Sequence, residues 1–264
     1  MFLVFFLIAF VASFIGVLSG LGGGIIIKPV LDMTGIAGVA EASFMSGLTV
    51  LAMTLVNLIR NLANPRAMLI DKKRSPWLAL GAVFGGLLGN KIFAVLMKAV
   101  GPSGQSRVGA IQAAILFLIT VSVMAYMHYK ERIRTKDYQR MGASLLIGLS
   151  LGKISSFLGI GGGPMNLVVL YFFFSMSTKE AAQNSLFIIF FSQLSSLLQT
   201  LFNNTVPDFN TINLIFMIIG GVSAGIIGGI VGKRMDDKTT DKMLMAVFTL
   251  IALINVYNFI KFLV

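Results

Sequence analysis

Two glycine clusters carry the clearest chemistry this sequence offers. Gly20-Leu21-Gly22-Gly23-Gly24 and Gly159-Ile160-Gly161-Gly162-Gly163 stand 139 residues apart, each inside a long apolar run. Glycine permits a tight turn and leaves backbone N–H groups accessible. In lipid, unwound backbone is tolerated only where it is buried in protein or lines a wet cavity. A helix beginning after Gly24 or Gly163 aims the positive end of its dipole at the turn, and such an end suits an anion. Gly22, Gly23, Gly24, Gly161, Gly162 and Gly163 are therefore candidate substrate-binding positions. The motif is not a dinucleotide fingerprint, because no strand precedes it and no βαβ unit surrounds it. The competing use is close helix packing, but two clusters in register favour a site.

Two lysines stand near these clusters. Lys28 lies one helical turn beyond Gly24, and Lys153 lies six residues before Gly159. An ammonium inside a membrane segment costs about 2.5–3.5 kcal/mol on insertion scales unless it finds water or a partner. Each lysine either faces an anionic substrate or snorkels to the interface. Asp32, just beyond Lys28, has no counterpart acid in the second cluster. A polar stripe also recurs: Ser46, Asn57 and Arg60 correspond, 139 residues on, to Ser185, Ser196 and Gln199, with Ser192 and Gln193 added. The spacing puts the stripe on one helix face, turned away from lipid, where it binds substrate or joins helices. Asn166 and Gln183 are further candidate donors. Glu41 and Glu180 occupy matched positions at helix starts and complement those N-termini. No other acid reads as intramembrane, so a buried carboxylate relay is not expected. The sequence has no cysteine and one histidine, which leaves no metal site, and no nucleophile–base pair or cofactor motif is visible. The chain does not read as an enzyme, and no cofactor is expected.

The elements that must position these residues are membrane helices. Of 264 residues, 56% are hydrophobic and 12% charged, too few charges to cover a soluble domain of this length. Several apolar runs reach the roughly 20 residues that cross a hydrocarbon core. The net charge of +11 falls in short loops, the pattern of cytoplasmic loops rather than of a nucleic-acid surface. Met1 to Leu18 lacks a basic leader and is read as part of the mature fold. The spacing predicts a glycine-broken segment (2–31, 141–174), a long helix (40–62, 179–202), a glycine-rich helix (77–98, 211–232) and a final helix (107–127, 241–262) in each half. Gly81/Gly85/Gly89 match Gly221/Gly225/Gly229 at a shift of 140 and read as a smooth packing face. The expected organisation is an N-terminal repeat 1–129, a basic linker 130–140 and a C-terminal repeat 141–264. Eight single crossings would put Lys233, Arg234, Lys238 and Lys242 opposite the other basic loops, 60–76 and 130–140. Re-entrant hairpins, with arms of about 14–17 residues, bring all three basic loops to the cytoplasmic side and invert one half against the other. The expected fold is an all-α integral membrane protein of two inverted repeats, each a hairpin plus three transmembrane helices.

The duplicated G-x-G-G-G break, the Glu-Ala after it, the G-x-x-x-G-x-x-x-G helix and the short basic centre together resemble the TauE/SafE sulfite exporter family across essentially the whole chain. The resemblance implies export of sulfite or an organosulfonate such as sulfoacetate or sulfolactate, with uptake of related anions in some members. On this reading the partners are a small anion, the bilayer of the cytoplasmic membrane and a second copy in a homodimer, with no nucleic acid. A passive anion channel and a non-transporting scaffold share the static features; saturable, gradient-driven flux separates them.

Overall fold

The computed structural model describes residues 2–63, 68–101, 104–160 and 162–263, apart from the side chains of Glu131 and Lys233. Gly161 and residues 64–67 of the basic loop 60–76, both used above, lie outside them. The helices are α1 Phe2–Ser19, α2 Gly24–Thr34, α3 Val39–Ala63, α4 Ser75–Val100, α5 Gln105–Tyr129, α6 Met141–Leu158, α7 Pro164–Phe174, α8 Thr178–Phe202, α9 Thr211–Val231 and α10 Asp237–Leu263. Eight of them, all but α2 and α7, are long and apolar enough to cross a membrane. Leu80, Phe84 and Leu88 on α4, and Ile215, Ile219, Ile226 and Ile230 on α9, stand exposed at helical spacing. Lipid is the solvent that covers such stripes. The chain is a multi-pass, all-α membrane protein.

Each glycine-broken segment has unequal arms, 18 residues and then 11, where arms of about 14–17 were expected. Local chemistry sets the lengths. Gly20 and Gly159 end the long arms at φ 71 and 67, a left-handed conformation that glycine adopts without strain. Pro164 opens α7 at the first-turn position, where a missing N–H costs nothing. Gly35 and Ser175, both left-handed, stop the short arms. At 1.5 Å per residue an 11-residue arm rises about 17 Å, roughly half a bilayer core. Ser177 and Glu180 form a reciprocal capping box that starts α8. Asn210 starts α9 by accepting from the N–H groups of Ile212 and Asn213.

The main pairings all join one half to the other. α1 lies on α9 and α6 on α4, α5 lies beside α10, and α3 packs on α8. α2 rests on α10, and α7 on α5. At one end Arg74 bonds Asp137 at 2.7 Å, and Lys130 pairs with Asp241. The linker is held there too: Lys136 and Tyr138 donate their backbone N–H groups to the carbonyls of Phe172 and Phe173.

The glycine rows pack inside the chain, and their register is corrected. A Cβ on Gly81, Gly85 or Gly89 would fall on the backbone carbonyl of Leu145, Leu149 or Lys153 of α6. The α9 residues that meet α1 in the same way are Gly220 against Phe6 and Gly228 against Phe14, while Gly221 and Gly225 meet Thr49 and Met53 of α3. Phe6 and Phe14 stand 139 residues before Leu145 and Lys153. The equivalent of Gly81/Gly85/Gly89 is therefore Gly220/Ala224/Gly228, and the shift is 139 here as it is at the breaks. The row Gly221/Gly225/Gly229 is a separate face, the counterpart of Ala82/Gly86/Asn90.

Candidate functional site

The two breaks meet in the middle of the molecule. A Cβ on Gly24 would collide with the carbonyl of Ile160 and lie 3.2 Å from Ser46 Oγ. Gly163 faces Ile25 and Ile160, and both Gly22 and Gly162 face Ile189. Leu21, Ile25, Ile160 and Ile189 are buried there and form an apolar plug. Around the plug lie polar atoms that have no hydrogen-bond partner among the described residues. They include the hydroxyls of Ser13 and Ser46 and the Asn166 amide oxygen, while the unpartnered hydroxyls of Ser156 and Ser192 lie against Gly86 of α4. Ser13 Oγ lies against Gly23, and the Asn166 amide nitrogen against Gly162. Buried polar atoms normally find partners, and leaving one unpaired costs about 1–3 kcal/mol. A set of them around two helix N-termini is the arrangement a polar ligand completes.

Both short helices point their N-termini at this region and have their carbonyl ends neutralised away from it. Lys261 of α10 donates to the carbonyls of Asp32 and Met33 at the end of α2, at 3.0 Å each. Arg74 donates to the carbonyl of Phe174 at the end of α7, at 3.1 Å. A cation at each carbonyl end offsets the negative pole of the dipole, so the positive pole stands alone at the breaks.

Two cavities, each of about 300 Å³, flank the plug. The first lies among the N-terminal half of α3 and the C-terminal halves of α4 and α8, lined by Ser43, Asn90, Gln193, Ser196, Gln199 and Thr200. The second lies at the other ends of α3 and α8, lined by Asn57, Arg60, Asn61, Ala182, Leu186 and Gly229. Ser196, Gln199 and Thr200 stand 139 residues after Asn57, Arg60 and Asn61, and Ala182 stands 139 after Ser43. The cavities are thus built from equivalent residues of the two halves, at opposite ends of the molecule. Each break begins at one of them: Gly159 packs on Ser43 and Gly20 on Ala182.

The candidates from the sequence separate in this geometry. Gly22, Gly23, Gly24, Gly162, Gly163, Ser46 and Asn166 gather at the breaks. Gln193 lines the first cavity and Asn57 the second, with Asn57 Oδ1 accepting from Asn61 at 3.0 Å. Gln183 also lines the second cavity and accepts the Leu69 N–H at 2.8 Å. Arg60 reaches across to the carbonyls of Gly225 and Ile226. Lys153 is not brought to the site. It is exposed on α6, because its backbone abuts Gly89 and its side chain is turned outward, as a snorkelling lysine requires. Lys28 is no free cation. It is 3% exposed and bonds Asp32 at 2.7 Å, with its stem against Gly159. Asp32 is thus a buried acid that the expectation of no intramembrane carboxylate passed over. Sequence reading also missed Ser13 and Ser156. Ser13 sits on the smooth stretch of α1, and only its contact with Gly23 distinguishes it from a helix-joining hydroxyl.

Comparison with known proteins agrees with this architecture. The family model described as Sulfite exporter TauE/SafE matches residues 5–255. The chain is 22% identical to the "Probable membrane transporter protein YunE" of Bacillus subtilis (strain 168), over 97% of this chain and 98% of that protein. No solved structure matches the chain. With a match that runs from α1 into α10, the chain belongs to the sulfite exporter TauE/SafE family of membrane transporters.

Proposed function

We propose that this chain exports a small sulfur oxyanion, sulfite or an organosulfonate, across the cytoplasmic membrane by alternating access. The observation that carries the reading is the pair of equivalent cavities at opposite ends of α3 and α8, divided by the glycine breaks and their apolar plug. An anion at the breaks would be held by hydroxyls, an amide and two helix N-termini, a donor-rich shell that matches sulfonate oxygens. Exchange of the two cavities between open and closed forms would pass it across. A continuous channel is less compatible with four buried aliphatic side chains between the cavities. The two halves act in this reading as inverted repeats joined by the 130–140 linker, with the broken segments as re-entrant hairpins. Backbone-to-backbone packing of α1 on α9 and of α6 on α4 ties each hairpin to its glycine-rich partner. The moving body is then the pair, not a hairpin sliding over a static glycine-rich frame. The same packing uses up the glycine faces, so a homodimer would form through other surfaces. In proteoliposomes, labelled sulfoacetate should show saturable counterflow, accelerated by unlabelled sulfonate on the opposite side. Flux linear in concentration and without counterflow would replace the carrier by a channel; no flux of sulfite or any sulfonate would leave a scaffold.

A further inference from the structure

Lys28 and Asp32 are the only fully buried charged side chains among the described residues. Lys28 Nζ bonds Asp32 Oδ2 at 2.7 Å, while Asp32 Oδ1 has no partner among the described residues. A buried ion pair is weak evidence for stability, since apolar residues of similar volume often serve as well. The chain itself offers such a replacement. The positions 139 residues on, in the same place on α7, are Leu167 and Tyr171, so the fold accepts a neutral pair there. Ionisable groups kept inside a membrane protein against that cost mark ion and proton pathways.

The pair also lies where coupling would be useful. Lys28 is one turn from Gly24, and its stem touches Gly159, which lines the first cavity. Few other charges face it. α1 carries no titratable residue in Phe2–Ser19. On α3, Glu41 is engaged with the N–H groups of Gly38 and Asn210. From α10, the Lys261 ammonium holds the Asp32 backbone carbonyl.

We propose that Asp32 carries the coupling proton of this transporter, an inference that rests on the transport reading above. A proton entering from the first cavity adds to Oδ1. The neutral carboxyl then releases its hold on Lys28, and the ammonium offers its charge to the anion at the breaks. When the anion leaves, Asp32 returns its proton to water and re-forms the pair. One proton and one anion move together, and the direction of net flux follows the combined gradients of both.

The test uses the full chain in proteoliposomes, with the potential clamped at zero and sulfoacetate as the probe. Its acid groups are ionised near neutral pH, so it brings no proton of its own. A one-unit pH step should drive about tenfold accumulation by the parent, the equivalent of a single proton. Asp32→Asn should keep equal-pH counterflow and lose pH-driven accumulation. The variant Lys28→Leu/Asp32→Tyr copies the second half. It should melt no lower than the parent and lose the pH response, which separates coupling from folding. Accumulation by Asp32→Asn equal to the parent's overturns the proposal. So does loss of counterflow in a well-folded Asp32→Asn, which would make the acid a binding partner instead of a carrier. Absence of counterflow in the parent sinks the alternating-access reading itself, and the proton carrier with it.

Discussion

Ser46, Asn166 and Lys153 show how differently similar polar residues can be spent in one membrane protein. Ser46 is completely buried without a hydrogen-bond partner among the described residues, beside Gly24. Asn166 is 1% exposed and abuts Gly162. A hydrogen bond to a charged group contributes about 1.5–3 kcal/mol. Ser46→Ala and Asn166→Ala are each expected to raise the half-saturation concentration of sulfoacetate counterflow by about tenfold or more. Their melting temperatures should hold or rise, because an unpaired buried group is removed. Equal half-saturation in both variants would move the site away from the breaks. Lys153→Ala, by contrast, is expected to leave counterflow within twofold of the parent, roughly the spread of neutral surface changes. A large loss there would return the exposed lysine to the substrate path. Of the positions singled out from the sequence, the glycine clusters and Ser46 recur 139 residues on, whereas Asn166 corresponds to Ile27 at that shift, and only its place against Gly162 sets it apart. Lys28 and Lys153 were not separable, since distance from a glycine cluster says nothing about which way a side chain turns.

At the scale of elements, the α4–α6 contact is the tightest test of the fold. Gly85 sits directly on the backbone carbonyl of Leu149, and backbone, unlike a flexible side-chain end, cannot step aside. Gly85→Val should cost about 1–3 kcal/mol or more by overpacking, read as a lower melting temperature in detergent. Gly142→Ala, at a site with nothing within 4 Å, is the control and should melt like the parent. If Gly85→Val melts with the control, the close crossing is wrong. The capping cation of α2 gives a subtler prediction. Lys261→Gln removes the charge from the α2 carbonyl end and should destabilise by about 0.3–1 kcal/mol. The glycine content announced close packing, but its direction was hidden. An α-helix turns about 100° per residue, so reading the α9 row at a shift of 140 instead of 139 points it at α3 instead of α1.

For the molecule as a whole, the two cavities make a prediction about sidedness. The chain contains no cysteine, so single cysteines can be placed without a background. Thr200→Cys lines the first cavity, and Asn61→Cys the second, at matched positions. The second cavity lies at the end that gathers Lys130, Arg74 and the linker, the end that the positive-inside rule would assign to the cytoplasm. A membrane-impermeant maleimide applied to intact cells should label Thr200→Cys and spare Asn61→Cys; inverted vesicles should reverse the pattern. Sulfonate should change the two rates in opposite directions if access alternates. Labelling of both from one side would break the carrier reading and favour an open path.

The sequence alone determined the solvent and the helices, and it carries the recurrence at 139 residues. These depend on composition and on spacing along the chain, which are local properties: runs of about 20 apolar residues span a bilayer whatever their neighbours do. It also placed the breaks, because five-residue glycine-rich clusters in lipid have few other uses. Only the tertiary structure decided that Lys28 is answered by Asp32, that Lys153 faces outward, and that Ser13 of α1 lies against Gly23. It also split the polar stripe, with Asn57 and Arg60 in one cavity, Gln193, Ser196 and Gln199 in the other, and Ser46 at the breaks. These outcomes depend on helix rotation and on partners more than a hundred residues away. One residue of error in register is enough to send a side chain to a different neighbour, and no local pattern records which neighbour waits there.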